Sequence, residues 1–330
     1  MRTFKLTLAV LGILVFWLGC GGKYDKPLEV YKEPPSGAYT YVASLPGFWW
    51  ANSMSMAGGH IFVAFDTTRT VHRYYSSGSQ VGDVEFNGLD RPVAVGTSLR
   101  SVAIADSSDT ITVKVYEPGG GDPFLVIRDP DWKRISALAV DDDENIYVAD
   151  MGRHFVRSYD TTGKRRFAVD LADSGFGIGH VVSPRGLYFD GEALLIAEAD
   201  PEKKQIQRIS VDTPQQGLPF SAEVFFISHF TDEDDNDIEL VKPVAVASDN
   251  YGRVIVLDQA LGKIFRYSAA GHSDAIVNAP KTDKEGPDVL QGALSLGTYT
   301  HSQSQHENVF CLEAETGQIH RWEEAQVAEE

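Results

Sequence analysis

The sequence predicts an all-β fold built from a repeated four-stranded unit, and three observations support this prediction. Apolar and polar residues alternate over short segments separated by Gly, Asp, Asn and Thr turns, which is typical of antiparallel sheets. Two linked sequence signatures recur six times along the chain. A proline also stands at the start of the first strand in several units, where its missing N–H is tolerated.

The first signature is an apolar strand that ends in an acid, and the second is an apolar strand a few residues further on. A unit of this kind cannot bury both of its faces alone, so we expect the copies to pack side by side in a ring. The six acids are Asp66, Asp106, Asp150, Glu198, Asp258 and Glu313. The second signature stands at 71–74, 113–116, 156–159, 206–209, 264–267 and 319–322.

The number of copies predicts a six-bladed β-propeller of four-stranded antiparallel blades, at about 40–50 residues per blade. The last copy supplies only three strands, at 293–299, 308–313 and 318–322, which would leave an open sheet edge. Segment 37–44 alternates well and precedes the first blade. We therefore expect this N-terminal strand to complete the last blade and close the ring.

Residues 150–156 (DMGRHFV) resemble the Asp-x-Gly-Asn-His-Arg-Ile stretch of NHL-repeat β-propellers. Gly152, His154 and Val156 match that pattern, and Arg153 stands where Asn is usual. The resemblance extends over about residues 45–325 as a shared skeleton. It implies a six-bladed propeller similar to those of metal-dependent lactonases and an amidating lyase. The lactonase type would need a convergent Glu, Asn and Asp set, which the sequence does not identify.

Residues 1–19 have the pattern of a signal peptide, with basic Arg2 and Lys5, a short apolar run, and Gly19 before Cys20. The run of 13 residues would span roughly 20 Å as a helix, less than the roughly 30 Å core of a bilayer. The segment before Cys20 resembles the bacterial lipobox, which makes Cys20 the predicted lipidation site. An ordinary secretory signal followed by an unrelated cysteine is the alternative.

The predicted organisation places a membrane anchor before one folded domain. Because Gly, Pro and charged residues dominate after Cys20, we expect an extended tether there. Gly21 stands in place of the aspartate of an inner-membrane retention signal, which favours the outer membrane of a bacterial cell envelope. The predicted segments are the signal peptide 1–19, the lipidated N-terminus and tether 20–35, the propeller 36–325 and the polar tail 326–330.

The chain is acidic, with a formal net charge of −18, which becomes −20 once Arg2 and Lys5 are removed with the signal peptide. Such a surface repels nucleic acid, so we expect no nucleic-acid partner. The chain has two cysteines. Cys311 lies in an apolar strand, where we expect it to be a small buried side chain.

An acidic run at 231–239 supplies candidate ligands for a calcium ion, which prefers clustered oxygen atoms. The run lacks the glycine and the distal glutamate of a calcium loop, so a solvated acidic loop is the alternative and we expect no cofactor. The candidate ligands are Asp232, Asp234, Asn236 and Asp237.

Other segments carry two interpretations each. The aromatic segment 46–50 (PGFWW) could be a ligand platform or could pack at the seam of the ring. The six strand-end acids could form a carboxylate ring, or they could accept hydrogen bonds from turn N–H groups. The glycine-rich segment 174–179 predicts a flexible loop rather than a phosphate cradle. Histidines that could gather around a zinc ion are His154, His180, His229, His301 and His306.

These observations favour a lipid-anchored binding or scaffold module, expected to be a monomer, whose partner is a protein, a peptide or a glycan. Loops carry function on such scaffolds, and the long insertion at 213–239 is the predicted contact region. A metal-dependent enzyme, lactonase-like or amidating-lyase-like, is the alternative function. A component of an envelope assembly is a third.

Overall fold

The computed structural model of this protein describes residues 39–177, 179–212, 226–278, 286–300 and 307–324. The predicted signal peptide, Cys20, the tether and the polar tail therefore lie outside the described residues. Where the chain is described, no segment forms a helix that is long and apolar enough to span a bilayer. The structure is all-β, and its strands are short and antiparallel apart from one small parallel pair.

The strands within the described residues are the following, in chain order: β1 Tyr39–Pro46, β2 Ala51–Ala57, β3 His60–Phe65, β4 Thr70–Tyr75, β5 Pro92–Thr97, β6 Val102–Ser107, β7 Ile111–Tyr116, β8 Leu125–Ile127, β9 Ile135–Val140, β10 Ile146–Asp150, β11 Phe155–Tyr159, β12 Asp173–Ser174, β13 His180–Val181, β14 Pro184–Phe189, β15 Ala193–Asp200, β16 Lys203–Ser210, β17 Phe226–Ile227, β18 His229–Thr231, β19 Asp237–Glu239, β20 Pro243–Ser248, β21 Val254–Asp258, β22 Lys263–Tyr267, β23 Ser273–Ile276, β24 Ala293–Thr300, β25 Glu307–Glu313 and β26 Gln318–Glu324.

Six small antiparallel sheets form a ring, which confirms the predicted six-bladed β-propeller. The blades are β2–β4, β5–β8, β9–β11, β14–β17, β20–β23, and β24–β26 with β1, and we number them one to six in that order. Blades one and three have three regular strands each. Their outer edges are completed by isolated bridges, Tyr74 to Gln80 in blade one, and Val156 to Ala172 and Tyr159 to Arg165 in blade three.

The N-terminal strand closes the ring, as the sequence predicts. Strand β1 pairs with β26 as the outer strand of the last blade, with Tyr39 opposite Glu324 and Pro46 opposite Gln318. The side chain of Tyr39 is buried in the apolar layer between blades five and six. Since β1 covers the edge of β26, the last blade has four strands, and β1 is its outer edge.

Apolar packing between neighbouring blades holds the ring together. In the part of the chain that is described, six buried apolar clusters fill the six gaps between successive blades. The last of these gaps is closed by Ile61 and Val63 of blade one against Phe310 and Leu312 of blade six. Cys311 lies in the layer between blades five and six and is fully buried, as predicted.

Candidate functional site: the entry face of the ring

One face of the ring is defined by the points at which the inner strand of each blade begins. The inner strands are β2, β5, β9, β14, β20 and β24, and each contacts the inner strands of both neighbouring blades. We call this side of the molecule the entry face. In each blade the second strand ends at the same face, because the two strands are antiparallel. The strand-end acids therefore lie directly beneath it.

Five of these acids are structural caps for the segment that enters the inner strand. Asp150 shows the full pattern: its carboxylate accepts backbone N–H groups of Lys133, Arg134 at 3.0 Å, Gly152 at 2.8 Å and Arg153. A buried carboxylate is stabilised when several N–H groups satisfy its lone pairs. The other four acids accept the entering N–H groups of their own blades, and they are Asp106, Glu198, Asp258 and Glu313.

Blade one departs from this pattern, and the prediction that Asp66 is the sixth equivalent acid is wrong. The residue opposite Ala51, in the register position of the caps, is Phe65. Asp66 follows it in the turn, is partly exposed, and caps no entering N–H group among the described residues. The physical reason is hydrophobic packing, because Phe65 fills the apolar layer between blades six and one.

The uncapped entry of blade one carries two exposed tryptophans. Phe48 is only 2% exposed and packs at the seam of the ring, edge-on to Tyr74. Trp49 is 56% exposed and lies over Gly317 of blade six, and Trp50 is 72% exposed. Packing at the seam is therefore confirmed for Phe48, and the ligand platform stays a prediction for the two exposed indoles.

Trp50 also has a left-handed backbone, with φ at 69°. A bulky residue pays a steric cost there, and such strain is found where the surrounding structure imposes it, often at binding sites. The turn is imposed by the hydrogen bond from Ala51 N to Phe48 O at 3.1 Å and by the bonds from Gly47 N and Phe48 N to Gly317 O. The backbone that carries the exposed indole is therefore held in place on the entry face.

The equivalent positions of three other blades carry cations. Arg91, Arg134 and Lys242 directly precede the first residue of their inner strands, as Trp50 does in blade one. In blade four the equivalent residue is Ser183, and the nearby cation is Arg185, two residues further on, which is the bulge residue between the paired positions Pro184 and Gly186. The pseudo-symmetry of the ring places these positions around its axis. We call them the entry rim, and its members are Trp50, Arg91, Arg134, Arg185 and Lys242.

The rim cations have no carboxylate partner among the described residues. Arg91 and Arg134 are exposed, and Arg185 and Lys242 are half-buried. The Nε of Arg185 is buried without a hydrogen-bond partner in the described part of the chain. Burial, and then the charge of the neighbouring Arg134, lower the pKa of Arg185. The positive charge of Arg134 therefore acts on Arg185.

The glycine-rich loop beside Arg185 receives several hydrogen bonds from strand β16, and its flexibility stays a prediction. The buried Lys203 ammonium donates to the carbonyls of Gly175 at 3.1 Å, Gly177 at 3.0 Å and His180. Gln207 donates to the His180 carbonyl at 2.8 Å. Phe176 of this loop is 62% exposed.

The candidate calcium ligands belong to the turn of the hairpin β18–β19. Asp232 accepts the backbone N–H groups of Asp234 at 3.0 Å and Asn236 at 2.9 Å, and the Asn236 side chain also donates to it. Asp237 accepts a hydrogen bond from Thr231 at 2.8 Å. These bonds account for the geometry of the turn. Within the described residues, no group of three His, Cys, Asp or Glu side chains is placed to hold a metal ion.

The described histidines belong to separate local contacts. His154 contacts the Val182 carbonyl, His180 pairs with Asp173, and His229 is exposed on β18. His301 and His306 lie outside the described residues, as does the part of the insertion at 213–225. The rest of that insertion forms β17, β18 and β19, and Asp237 and Glu239 line a cleft of about 410 Å³ with Lys204 and His229.

Comparison with known proteins supports the fold. No family model matches the chain, and no curated protein matches it. A solved structure of the nidogen/laminin complex is similar, with a TM-score of 0.51 and 16% identity over 68% of this chain and 79% of that chain. A streptogramin B lyase is similar with a TM-score of 0.54 and 14% identity, over 88% of both chains. At these identities the similarity shows the β-propeller fold alone, and NHL membership stays a prediction.

Proposed function

We propose that this chain is a lipid-anchored protein of the bacterial cell envelope whose β-propeller binds a protein or peptide partner at its entry face. The single observation that carries the binding proposal is the exposed, conformationally constrained Trp50 on a rim that is otherwise cationic. Tryptophan and arginine are the residue types that most often dominate binding energy at protein interfaces.

The rigidity of the entry face supports this function. The entering backbone of five blades is fixed by a carboxylate beneath it, and the loop beside Arg185 accepts hydrogen bonds from Lys203. Ordering a loop on binding costs free energy, so a rim that is already ordered gives more affinity for the same contacts. A glycan that stacks on the indoles is a less favoured partner, since the four cations would then contribute little.

Co-purification from detergent-solubilised envelopes tests the binding face. The full-length chain with Trp49→Ala and Trp50→Ala should lose a partner that the wild-type chain retains. The matched control carries Leu99→Ala and Phe124→Ala, because these exposed apolar side chains lie on the turns between β5 and β6 and between β7 and β8, at the opposite face. Loss of the partner in the control alone would place the contact elsewhere.

The anchor is tested separately, by mass spectrometry of the mature N-terminus and by fractionation. A diacylglyceryl-modified Cys20 in the outer-membrane fraction supports the proposal, and Cys20→Ser should release the protein from the membrane. An unmodified Cys20, or a Cys20→Ser variant that stays with the membrane, would reject the lipid anchor. The anchor proposal and the binding proposal can therefore be rejected independently of each other.

A metal-dependent enzyme is the second candidate, and the similarity to a streptogramin B lyase over 88% of both chains is the observation that favours it. Thermal unfolding in the presence of EDTA, calcium or zinc separates the two functions. A metal that binds the folded state raises the melting temperature by mass action. A large metal-dependent increase would support the enzyme, and an unchanged melting temperature would count against it.

A further inference from the structure

The entry rim concentrates positive charge on a protein whose formal net charge is −18. Four consecutive blades, two to five, each place one cation at or next to the start of the inner strand. Because successive blades are neighbours in the ring, the four cations form one continuous crescent around the axis. Trp50 stands at the same position in blade one, at the end of this crescent.

Elsewhere in the described chain, arginines commonly have carboxylate partners. Arg157 shows the usual arrangement, with Asp129 at 2.9 Å and Asp131 at 3.0 Å. The three arginines of the rim have no such partner, and they differ from the other unpaired arginines of the described chain, Arg73, Arg100, Arg128 and Arg153, in lying at or next to the inner-strand starts of successive blades. Arginines with a carboxylate within 3.3 Å are Arg69, Arg157, Arg165, Arg208, Arg253 and Arg266.

The acids nearest to the rim are not bonded to its cationic groups. Glu198, beneath Arg185, accepts the backbone N–H groups of Val182 and Ser183 and keeps one buried oxygen without a partner in the described chain. Asp150 lies beneath Arg134 but is saturated by four backbone N–H groups, and Asp258 beneath Lys242 accepts four more. Asp90, next to Arg91, pairs with Arg69 at 3.1 Å. An anion that arrives from solvent would therefore meet cations whose hydrogen-bonding capacity is unused.

We propose that the entry rim binds an acidic peptide segment of the partner, with Arg134 and Arg185 engaging its carboxylates and Trp50 packing against an apolar side chain beside them. This inference rests on the proposed binding function and names its ligand class. A guanidinium group binds a carboxylate through two parallel hydrogen bonds, and such charge-assisted pairs are the stronger ones. An anion between Arg134 and Arg185 would also relieve their mutual repulsion.

The charge distribution favours a short acidic segment over a nucleic acid. The rim itself supplies only four cations, while the whole molecule has a formal net charge of −18. A long polyanion would extend beyond the rim and meet this negative surface, within a Debye length of about 8 Å at physiological ionic strength. A segment with a few carboxylates would be neutralised within the crescent itself.

Fluorescence anisotropy with the full-length protein in detergent tests the proposal. The probe is a labelled peptide of alternating Glu and Phe residues, and its counterpart has Gln in place of each Glu. We expect the acidic peptide to bind, its affinity to fall as salt rises, and the Gln peptide to bind at least about tenfold more weakly. Equal binding of the two peptides would overturn the proposal.

Variants locate the site. Arg134→Gln with Arg185→Gln should weaken binding by about tenfold or more at an unchanged melting temperature, and Arg134→Lys should retain part of the affinity. Arg100→Gln is the matched control, because Arg100 is exposed and lies on the turn between β5 and β6, at the opposite face. Unchanged binding in the double variant, or an equal loss in the control, would overturn the assignment to the rim.

Competitors separate the ligand classes. A single-stranded DNA or a sulfated glycan of equal charge that displaces the peptide at lower concentration would overturn the peptide assignment. Failure of the peptide to bind, together with loss of the natural partner in the Trp49→Ala and Trp50→Ala variant, would reject this inference and leave the proposed function intact. Retention of the partner in that variant would instead reject the binding face.

Discussion

The backbone N–H of Arg134 donates a hydrogen bond of 3.0 Å to Oδ1 of Asp150, so a buried carboxylate fixes the backbone of a residue whose side chain is exposed on the entry rim. The same relationship joins Arg91 to Asp106 and Lys242 to Asp258. The repeated acid of the blade is therefore structural. By fixing this backbone, the repeated acid also positions the residues that carry the rim cations.

Removing this cap should destabilise the protein strongly. Asp150→Asn replaces one acceptor oxygen by an NH₂ group that faces the same N–H donors, so buried donors lose their partner. We expect the free energy of unfolding to fall by about 2–4 kcal/mol, measured by urea denaturation. Asp66→Asn is the control, since Asp66 caps no entering N–H group among the described residues, and it should change stability by less than about 0.5 kcal/mol. An equal loss of stability in the two variants would contradict the difference in register between Asp150 and Asp66.

Trp50→Gly should separate stability from binding. Glycine adopts a positive φ without the steric cost that tryptophan pays, so this variant should be as stable as wild type or more stable by up to about 1 kcal/mol. Trp50→Ala keeps the Cβ and should not gain this stability. Both variants should capture less partner. A large loss of stability in Trp50→Gly would show that the indole contributes to the core instead.

Glu307 should make stability depend on pH. Its side chain is buried at the start of β25, Oε1 has no partner among the described residues, and Thr300 donates to Oε2. Burial raises the pKa of Glu307 to about 8, the nearby Asp249 carboxylate adds to this increase, and the Thr300 hydrogen bond opposes it. Between the ordinary pKa of 4.5 and this value, the folded state binds more protons than the unfolded state.

Stability from Glu307 is therefore fully present below about pH 4.5 and is lost as the pH rises towards about 8. Glu307→Gln should flatten this dependence and should be more stable than wild type above pH 8, by on the order of 3 kcal/mol. Chemical denaturation from pH 5 to 9 measures the effect, with the exposed Glu202→Gln as control. Parallel pH curves for Glu307→Gln and wild type would contradict this role of the buried carboxyl.

Closure of the ring should depend on β1. A chain that starts at Gly47 lacks the outer strand of blade six and leaves the edge of β26 unpaired. It also removes Tyr39 from the layer between blades five and six. We expect this chain to lose more than about 3 kcal/mol of stability or to aggregate, whereas a chain that starts at Ser36 should unfold like the full chain. Calorimetry and light scattering would distinguish the two, and identical behaviour would show that β1 is dispensable.

The sequence predicts the ring well because the ring follows from periodic features. Alternating strands, the recurring acid and the three-stranded last unit together indicate six blades and an N-terminal closing strand, and the structure has both. The one-residue error at Asp66 arises because a repeat signature does not show register, and Phe65 takes the cap position through packing at the seam.

The entry rim was missed for a different reason. Arg91 and Lys242 are visible beside the prolines that begin their strands, but a cation before a strand carries no signal of its own. Only closure of the ring brings Arg91 and Lys242 to the same face as Arg134 and Arg185. The bulge at Arg185 is a property of sheet pairing. The buried Lys203 and Glu307 likewise depend on tertiary packing, because charged residues are usually exposed.

Site-specific photo-crosslinking in intact envelopes tests the central claim most directly, which is that the entry face is the binding face. A benzophenone amino acid would replace Trp50 in one full-length variant and Leu99, at the opposite face, in another. The structure predicts a discrete crosslinked product from position 50, competed by the acidic peptide, and none from position 99. A product from position 99 with none from position 50 would contradict the assignment of function to the entry face.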